Sequence, residues 1–319
     1  MITILLVVIF NVFLFLATNK LIKYYNIFDC NNKKSKKISL IGGFYLYINI
    51  ILIFTLFLIF DQDKINIFIF NKRTLFSFYL VMTMIFVMGY LDDKYNLSPN
   101  FKLFSMIIII IIDLTLNENL ILNKIKLSSN FHFFINDNLQ FIFTLLCFIT
   151  IINLLNMFDG INLQSILFSF FIFIICFQHQ NIFLLFNFLI FYLLISYLNY
   201  KNIIYLGNSG SYLLGYFIGY IMINSYHNNL INADHVSLLL IIPFIDMLRL
   251  IMLRIIKKKH IFLGDNNHIH HTLLKKIGYH KTLFAIQSLI IFPVLLFLNM
   301  QISIFILLPI SIFLYFVIL

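Results

Sequence analysis

The feature that most constrains this chain is a series of eleven long apolar runs separated by short polar segments. With its flanks, each run is long enough for about 20 residues of α-helix, the length that spans the hydrocarbon core of a bilayer. The runs are continuous and lack the alternating pattern of a transmembrane β-strand. The sequence therefore predicts an all-α integral membrane protein. Its eleven predicted spans are centred on residues 2–19, 40–60, 75–90, 101–117, 139–157, 163–178, 182–199, 210–224, 236–256, 283–299 and 302–319.

The composition excludes the main soluble alternatives. Apolar residues make up 62% of the chain and charged residues only 11%, against about 25% charged residues in soluble domains. The three cysteines are scattered and form neither a disulfide framework nor the paired spacing of a zinc site. No linker or repeat divides the sequence, so residues 1–319 are expected to form a single membrane domain.

The distribution of basic residues predicts how the chain is oriented in the membrane. Loops after the odd-numbered spans contain 16 of the 22 Lys and Arg residues, and loops after the even-numbered spans contain 5. Basic loops remain on the cytoplasmic side. The N-terminus is therefore predicted to lie outside and the C-terminus in the cytoplasm. Contact with anionic membrane lipid explains the net charge of +10 without a nucleic-acid partner.

Four polar clusters interrupt the apolar pattern, and all of them lie at span ends that are predicted to be cytoplasmic. They are GYLDDKYNLSPNFK after span 3, NLLNMFDG at the end of span 5, GNSGS before span 8 and GDNNHIHH between spans 9 and 10. One polar face built from four loops indicates an active site at the inner membrane surface.

The first cluster contains the adjacent carboxylates Asp92 and Asp93. They repel each other unless a cation or a basic group lies between them. A solvated loop that ends a helix is the simpler interpretation, and a general base beside a Mg²⁺ or substrate site is the functional one. Lys102, at the start of span 4, is placed to reach a phosphate, although an interfacial lysine is also ordinary there.

The second cluster spaces Asn153, Asn156 and Asp159 at i, i+3 and i+6. This spacing keeps the first two on one helix face and the third close to it. Polar side chains in an apolar helix are costly, so they are predicted to face a wet cavity. Hydrogen bonding between helices is the alternative explanation.

The third cluster, Gly207 to Ser211, precedes a predicted helix. Its glycines and serines let backbone N–H groups point at one anion beside the helix N-terminus, which predicts phosphate binding. An ordinary N-cap and turn is the simpler alternative.

The fourth cluster places His268, His270 and His271 just after Asp265. Imidazoles that donate hydrogen bonds or protons to a phosphate explain this pattern best, and a zinc site is the alternative. Nearby, Arg254 belongs to a basic run that is interpreted as a cytoplasmic flank or an anionic-lipid contact.

Two acidic residues inside the predicted spans are given structural explanations. Asp246 is interpreted as an intrahelical partner of Arg249, and Asp113 as an interfacial residue near the outer end of span 4.

In combination, these motifs resemble the polyprenyl-phosphate N-acetylhexosamine-1-phosphate transferases, the MraY/WecA family. The resemblance runs over about residues 29–277, from ISLIGG through GYLDDKYNLSPNFKL and NLLNMFDGIN to PFIDMLR and DNNHIHHTLLKK. Eleven spans and the NMFDGI and HIHH motifs are similar to the WecA-like branch.

The resemblance implies a reaction at the inner membrane of a bacterium. The phosphate of a polyprenyl phosphate such as undecaprenyl phosphate attacks the β-phosphorus of a UDP-N-acetylhexosamine. The reaction releases UMP and starts a cell-surface glycan. The family uses Mg²⁺, with Mn²⁺ as an alternative. Which amino sugar and which glycan are involved, and whether the chain is a homodimer, stay open.

The resemblance and the arguments above assign roles to particular residues. The expected catalytic residues are Asp92, Asp93, His268, His270 and His271. The expected substrate-binding residues are Lys102, Asn153, Asn156, Gly207, Ser209, Gly210 and Asp265. The expected metal ligands are Asn156, Asp159 and Asn208.

Three neutral amides stand where the family usually has charged residues. Asn208 replaces an aspartate that commonly binds Mg²⁺, Asn162 replaces a second aspartate, and Asn266 replaces an arginine. These departures favour a second hypothesis, a catalytically silent homologue that binds the lipid carrier or a partner transferase. A third hypothesis, an ion or proton transporter, requires mid-membrane polar residues on several spans, and these are scarce.

Overall fold

The computed structural model describes residues 2–28, 38–60, 72–128, 131–177, 182–258 and 268–319, and it is mainly helical. A short antiparallel hairpin of β1 (Lys124–Lys126) and β2 (His132–Phe134) lies between two of the helices. The helices are α1 (Ile2–Tyr25), α2 (Gly42–Phe60), α3 (Lys72–Tyr95), α4 (Pro99–Leu116), α5 (Asp137–Phe158), α6 (Gln164–Phe177), α7 (Ile182–Tyr200), α8 (Gly207–His227), α9 (Ala233–Ile256), α10 (Ile269–Ile277), α11 (Tyr279–Met300) and α12 (Ile304–Ile318).

The described residues are mainly helical, as predicted, and are consistent with an integral membrane protein. Each of the eleven predicted spans overlaps one helix of the described residues. Eight of the described helices are long and apolar enough to cross a membrane. Among the others, α6 and α12 are apolar but have only 14 and 15 residues. The number of crossings and the orientation of the termini therefore stay predictions.

Helix α8 lies at the centre of the bundle, packed against α2, α3 and α5. Every residue from Ser209 to Tyr226 is buried. Because α8 contacts protein rather than lipid, it accommodates glycine, serine and tyrosine where a lipid-facing helix would be apolar. At Gly215 an added Cβ would lie 2.7 Å from the Cα of Ile152, so α5 and α8 approach closely.

The start of α8 is held by the ISLIGG segment, whose two glycines begin α2. The backbone N–H groups of Gly42 and Gly43 donate to the carbonyl oxygens of Tyr205 and Leu206 at 2.9 and 3.1 Å. On α3, an added Cβ at Gly89 would lie 2.4 Å from the Cα of Ser209. Close backbone packing thus positions the GNSGS cluster.

Two features differ from the sequence predictions. Asp113 is fully buried rather than interfacial, since Tyr216 of the central helix α8 donates a hydrogen bond to its Oδ2 at 2.8 Å. The histidine cluster is also not simply a loop, because its last two histidines lie in the short helix α10.

Candidate active site

Residues from three of the four polar clusters line one cavity of about 250 Å³. The fourth cluster, GNSGS, reaches it through Ser211, whose hydroxyl donates to the lining residue Asn156. Its wall is formed by the starts of α4, α8 and α10 and by the ends of α5 and α9. The lining residues are Pro99, Lys102, Leu103, Asn153, Asn156, Met157, Asp159, Gly160, Tyr212, Arg254, His268, His270 and His271.

Asp92 lies behind the cavity wall and is fully buried. Its Oδ1 is 2.8 Å from the Nζ of Lys102 and accepts the backbone N–H of Leu97 at 3.0 Å. Its Oδ2 accepts the hydroxyl of Tyr212 at 3.1 Å. Lys102 and Tyr212 both line the cavity, so the carboxylate of Asp92 fixes two of its side chains.

Asp93 caps the N-terminus of α8. Its carboxylate accepts the backbone N–H groups of Asn208 and Ser209 at 2.7 and 3.0 Å and the Ser209 hydroxyl at 2.7 Å. A carboxylate is favoured there because the helix N-terminus carries partial positive charge. Gly207 has a φ of +70°, which favours glycine, and Gly210 is buried in the first turn. The donors that the sequence directed at a phosphate are therefore directed at Asp93.

Asn153 and Asn156 face the cavity from the last turns of α5. Asn156 Oδ1 accepts the Ser211 hydroxyl at 2.7 Å, which ties α5 to α8. The helix ends at Phe158, so Asp159 lies just beyond it, still on the cavity wall. Burial and the nearby Asp93 carboxylate raise the pKa of Asp159 to about 7.

The three histidines form one group at the start of α10. The rings of His268 and His270 are stacked, with centroids 5.0 Å apart. His270 is 1% exposed, and neither of its ring nitrogens has a partner among the described residues. Burial, together with the neighbouring imidazoles, lowers the pKa of His270 to about 3, so its ring is neutral at pH 7. Asp265 and Asn266 lie outside the described residues.

Comparison with known proteins gives two matches. A family model described as glycosyl transferase family 4 matches residues 75–226. The chain is also 25% identical over 236 residues to an undecaprenyl-phosphate alpha-N-acetylglucosaminyl 1-phosphate transferase of Thermotoga maritima. That alignment covers 74% of this chain and 70% of the relative. Both matches support a relationship to the MraY/WecA-like family. They indicate a phosphosugar transferase enzyme, and the MraY/WecA-like family is generally dependent on divalent metals.

The donors on the cavity wall partly fit the metal that MraY/WecA-like transferases require. The Asn156 amide and the Asp159 carboxylate supply oxygen atoms, which Mg²⁺ prefers. Asn208 is not among the lining residues, and its described contacts are through its backbone. In the described part of the chain, no three His, Cys, Asp or Glu side chains are grouped to hold a metal ion. The zinc interpretation of the histidines therefore gains no support.

Two contributors to the site of this MraY/WecA-like transferase were missed by sequence reasoning. Arg254, predicted as a cytoplasmic flank, is buried and lines the cavity. Asp246 does pair with Arg249 at 2.8 Å, as predicted, but it also contacts His268 at 3.1 Å. The spacing of Asp246 and Arg254, two helical turns apart on α9, is the signal that both face one side.

The charges on the cavity wall suit phosphate groups. Lys102 and Arg254 bring two cations, and Arg254 has the planar donor geometry that matches phosphate oxygens. The histidines add ring nitrogens on the same wall, and Asp159 is the one carboxylate among the residues found to line it. This MraY/WecA-like site can therefore bind an anion with several phosphate oxygens.

Proposed function

We propose that the chain transfers an N-acetylhexosamine 1-phosphate from a UDP-sugar to a polyprenyl phosphate at the cytoplasmic face of a bacterial inner membrane. The observation that carries this proposal is the cavity whose wall brings together two basic residues, three histidines and two oxygen donors; these are Lys102, Arg254, His268, His270, His271, Asn156 and Asp159. The Thermotoga maritima relative is named for undecaprenyl phosphate and N-acetylglucosamine, which supports this carrier and makes this sugar the first to test.

In this reaction an oxygen of the lipid phosphate forms a bond to the β-phosphorus of the UDP-sugar. The bond from that phosphorus to the bridging oxygen breaks, and UMP leaves with the electron pair. Lys102 and Arg254 stabilise the negative charge that is spread over the phosphate oxygens, while Asp92 fixes Lys102. The neutral His270 offers a ring N–H to the same oxygens.

Asn156 and Asp159 are the residues that would hold the divalent metal. When bound, Mg²⁺ or Mn²⁺ neutralises charge on the two phosphate groups that must approach each other. Asn208 is proposed as a third ligand on the family pattern.

The test of this function uses purified protein, undecaprenyl phosphate and radiolabelled UDP-sugars. We expect Mg²⁺-dependent formation of a chloroform-soluble product from at least one UDP-N-acetylhexosamine. Failure of the whole sugar panel, with undecaprenyl phosphate binding retained, would instead support the silent-homologue hypothesis. Asn162 does not argue for that hypothesis, since it donates to Asn199 O and Asn202 Oδ1 away from the cavity lining.

Replacing Asn208 by aspartate is expected to lower the Mg²⁺ concentration that gives half-maximal activity. A carboxylate adds direct Coulomb attraction for a hard cation that a neutral amide lacks. The measurement is a Mg²⁺ titration of both proteins at fixed pH and saturating UDP-sugar. If the Mg²⁺ concentration for half-maximal activity is unchanged or higher, Asn208 is not a metal ligand, and Asn156 and Asp159 are the proposed ligands that remain.

We further propose eleven membrane crossings with the N-terminus outside and the C-terminus in the cytoplasm. In a background with the native cysteines changed to serine, Lys276→Cys should be shielded from impermeant thiol reagents in intact cells. His132→Cys, on the exposed hairpin strand β2, should be labelled and serves as the matched control. The reverse labelling pattern would overturn the topology.

A further inference from the structure

The carboxylate of Asp246, on α9, is surrounded by four hydrogen-bonding groups. Oδ1 accepts from the Arg249 guanidinium at 2.8 Å, the Tyr315 hydroxyl at 2.8 Å and the Ile269 backbone N–H at 3.2 Å. Oδ2 lies 3.1 Å from Nδ1 of His268. An ionised carboxylate offers about four acceptor sites. Oδ1 is therefore fully engaged, and the contact of Oδ2 is with His268.

These contacts fix the proton arrangement of His268. An ionised carboxylate only accepts hydrogen bonds, so the proton between the two groups must belong to Nδ1 of His268. The other ring nitrogen, Nε2, is then the atom that gains or gives up a proton. Since Nδ1 is turned toward Asp246 and His268 lines the cavity, Nε2 is the atom available to a ligand there.

The support behind His268 comes from three helices. Tyr315 of the C-terminal helix α12 binds Asp246 and also accepts from Nε of Arg249 at 2.8 Å. The Ile269 N–H joins the start of α10 to the same carboxylate. Asp246 is only 3% exposed, and hydrogen bonds are stronger where water is excluded. The orientation of His268 is therefore set by buried contacts rather than by its own short helix.

We propose that Asp246 is a positioning residue, which fixes His268 with Nε2 toward the cavity during sugar-phosphate transfer. This inference rests on the function proposed above. Partners of this kind hold the ring orientation and tautomer of a functional histidine, and their loss typically costs about 10- to 100-fold in activity. In an Asp246→Asn variant the amide N–H₂ can donate to Nδ1, which favours the opposite tautomer.

The experiment compares Asp246→Asn with Asp234→Asn, which changes another buried carboxylate on α9. Asp234 accepts the backbone N–H of Ser128 at 2.6 Å, far along the helix from His268. We expect Asp246→Asn to lower kcat about 10- to 100-fold with a smaller change in KM. Asp234→Asn should retain the wild-type kcat even if it lowers thermal stability.

A second readout does not depend on turnover. In protein labelled with ¹⁵N-histidine, the His268 signal is assigned by its loss in His268→Gln. We expect the Nδ1–H tautomer in the wild type and in Asp234→Asn, and the Nε2–H tautomer or a mixture in Asp246→Asn. If Asp246→Asn does not fold, the wild-type spectrum still shows which ring nitrogen of His268 carries the proton.

An Nε2–H tautomer in the wild type, or an unchanged kcat in folded Asp246→Asn, would overturn the positioning role. Absence of turnover in the wild type would count against the proposed function alone. The tautomer measurement would then still show whether Asp246 fixes His268.

Discussion

Replacing Asp92 by asparagine is expected to lower the rate of sugar-phosphate transfer by about 10²-fold, because small displacements of a group that contacts the reacting phosphates can cost this much. The variant loses the charge that holds the Lys102 ammonium at 2.8 Å. Lys102 lines the cavity, so a displaced ammonium no longer meets the substrate phosphates. The Tyr212 hydroxyl keeps an acceptor, since an asparagine side chain retains one carbonyl oxygen.

Asp93→Asn is expected to reduce transfer to a similar degree for a different reason. Its carboxylate accepts three donors at the start of α8, two backbone N–H groups and the Ser209 hydroxyl. An amide supplies only one acceptor oxygen and turns an N–H₂ group toward the remaining donors. The first turn of α8 is then expected to shift, and with it Tyr212 and the contact between Ser211 and Asn156.

Both variants are measured in the radiolabelled transfer assay, after size-exclusion chromatography confirms that each folds. Asp137→Asn is the matched control, because Asp137 is exposed at the opposite end of α5 and its side chain accepts a hydrogen bond from Gln140. It should retain the wild-type rate. Near-normal turnover by Asp92→Asn and Asp93→Asn would mean that the aspartate pair only stabilises the end of a helix and has no part in the reaction.

The helices could be predicted from sequence because a bilayer leaves a spanning chain few alternatives to continuous apolar helices. The position of α8 in the bundle could not be predicted. Its glycines, serines and tyrosines make it less apolar than its neighbours, and only its contacts with α2, α3 and α5 show that it is central. The hairpin of β1 and β2 was missed because each strand has only three residues.

The candidate site was predictable where polar residues cluster in sequence, as at Asn153, Asn156 and Asp159. Roles that depend on a distant partner were not predictable. Asp246 contacts His268 across 22 positions, and Asp93 contacts Asn208 across 115. A single sequence gives the type of each residue but not which donor faces it. The GNSGS donors were consequently assigned to a phosphate, although Asp93 receives them.

Gly160→Ala is expected to lower transfer by about 10²-fold, because small displacements of a reacting group can cost this much. An added Cβ at position 160 would lie 1.7 Å from Nε2 of His270, so the imidazole must move. The backbone at Gly160 is not among the positive-φ positions found in the described residues, and alanine can adopt it. The effect therefore comes from the contact with His270 rather than from backbone strain.

Gly219→Ala is the matched control, since it makes the same change on α8 at a distance of 3.1 Å from the Phe148 ring. The Phe148 ring must shift by a few tenths of an ångström, but it is not among the cavity-lining residues, so the control should keep near-normal turnover even if its thermal stability falls. Both variants are compared in kcat, in KM for the UDP-sugar and in thermal stability. Wild-type turnover in Gly160→Ala would mean that His270 moves without cost and takes no part in the reaction. A loss of activity with unchanged thermal stability instead places His270 beside the reacting phosphates, because the three atoms nearest to the new methyl group all belong to the His270 ring.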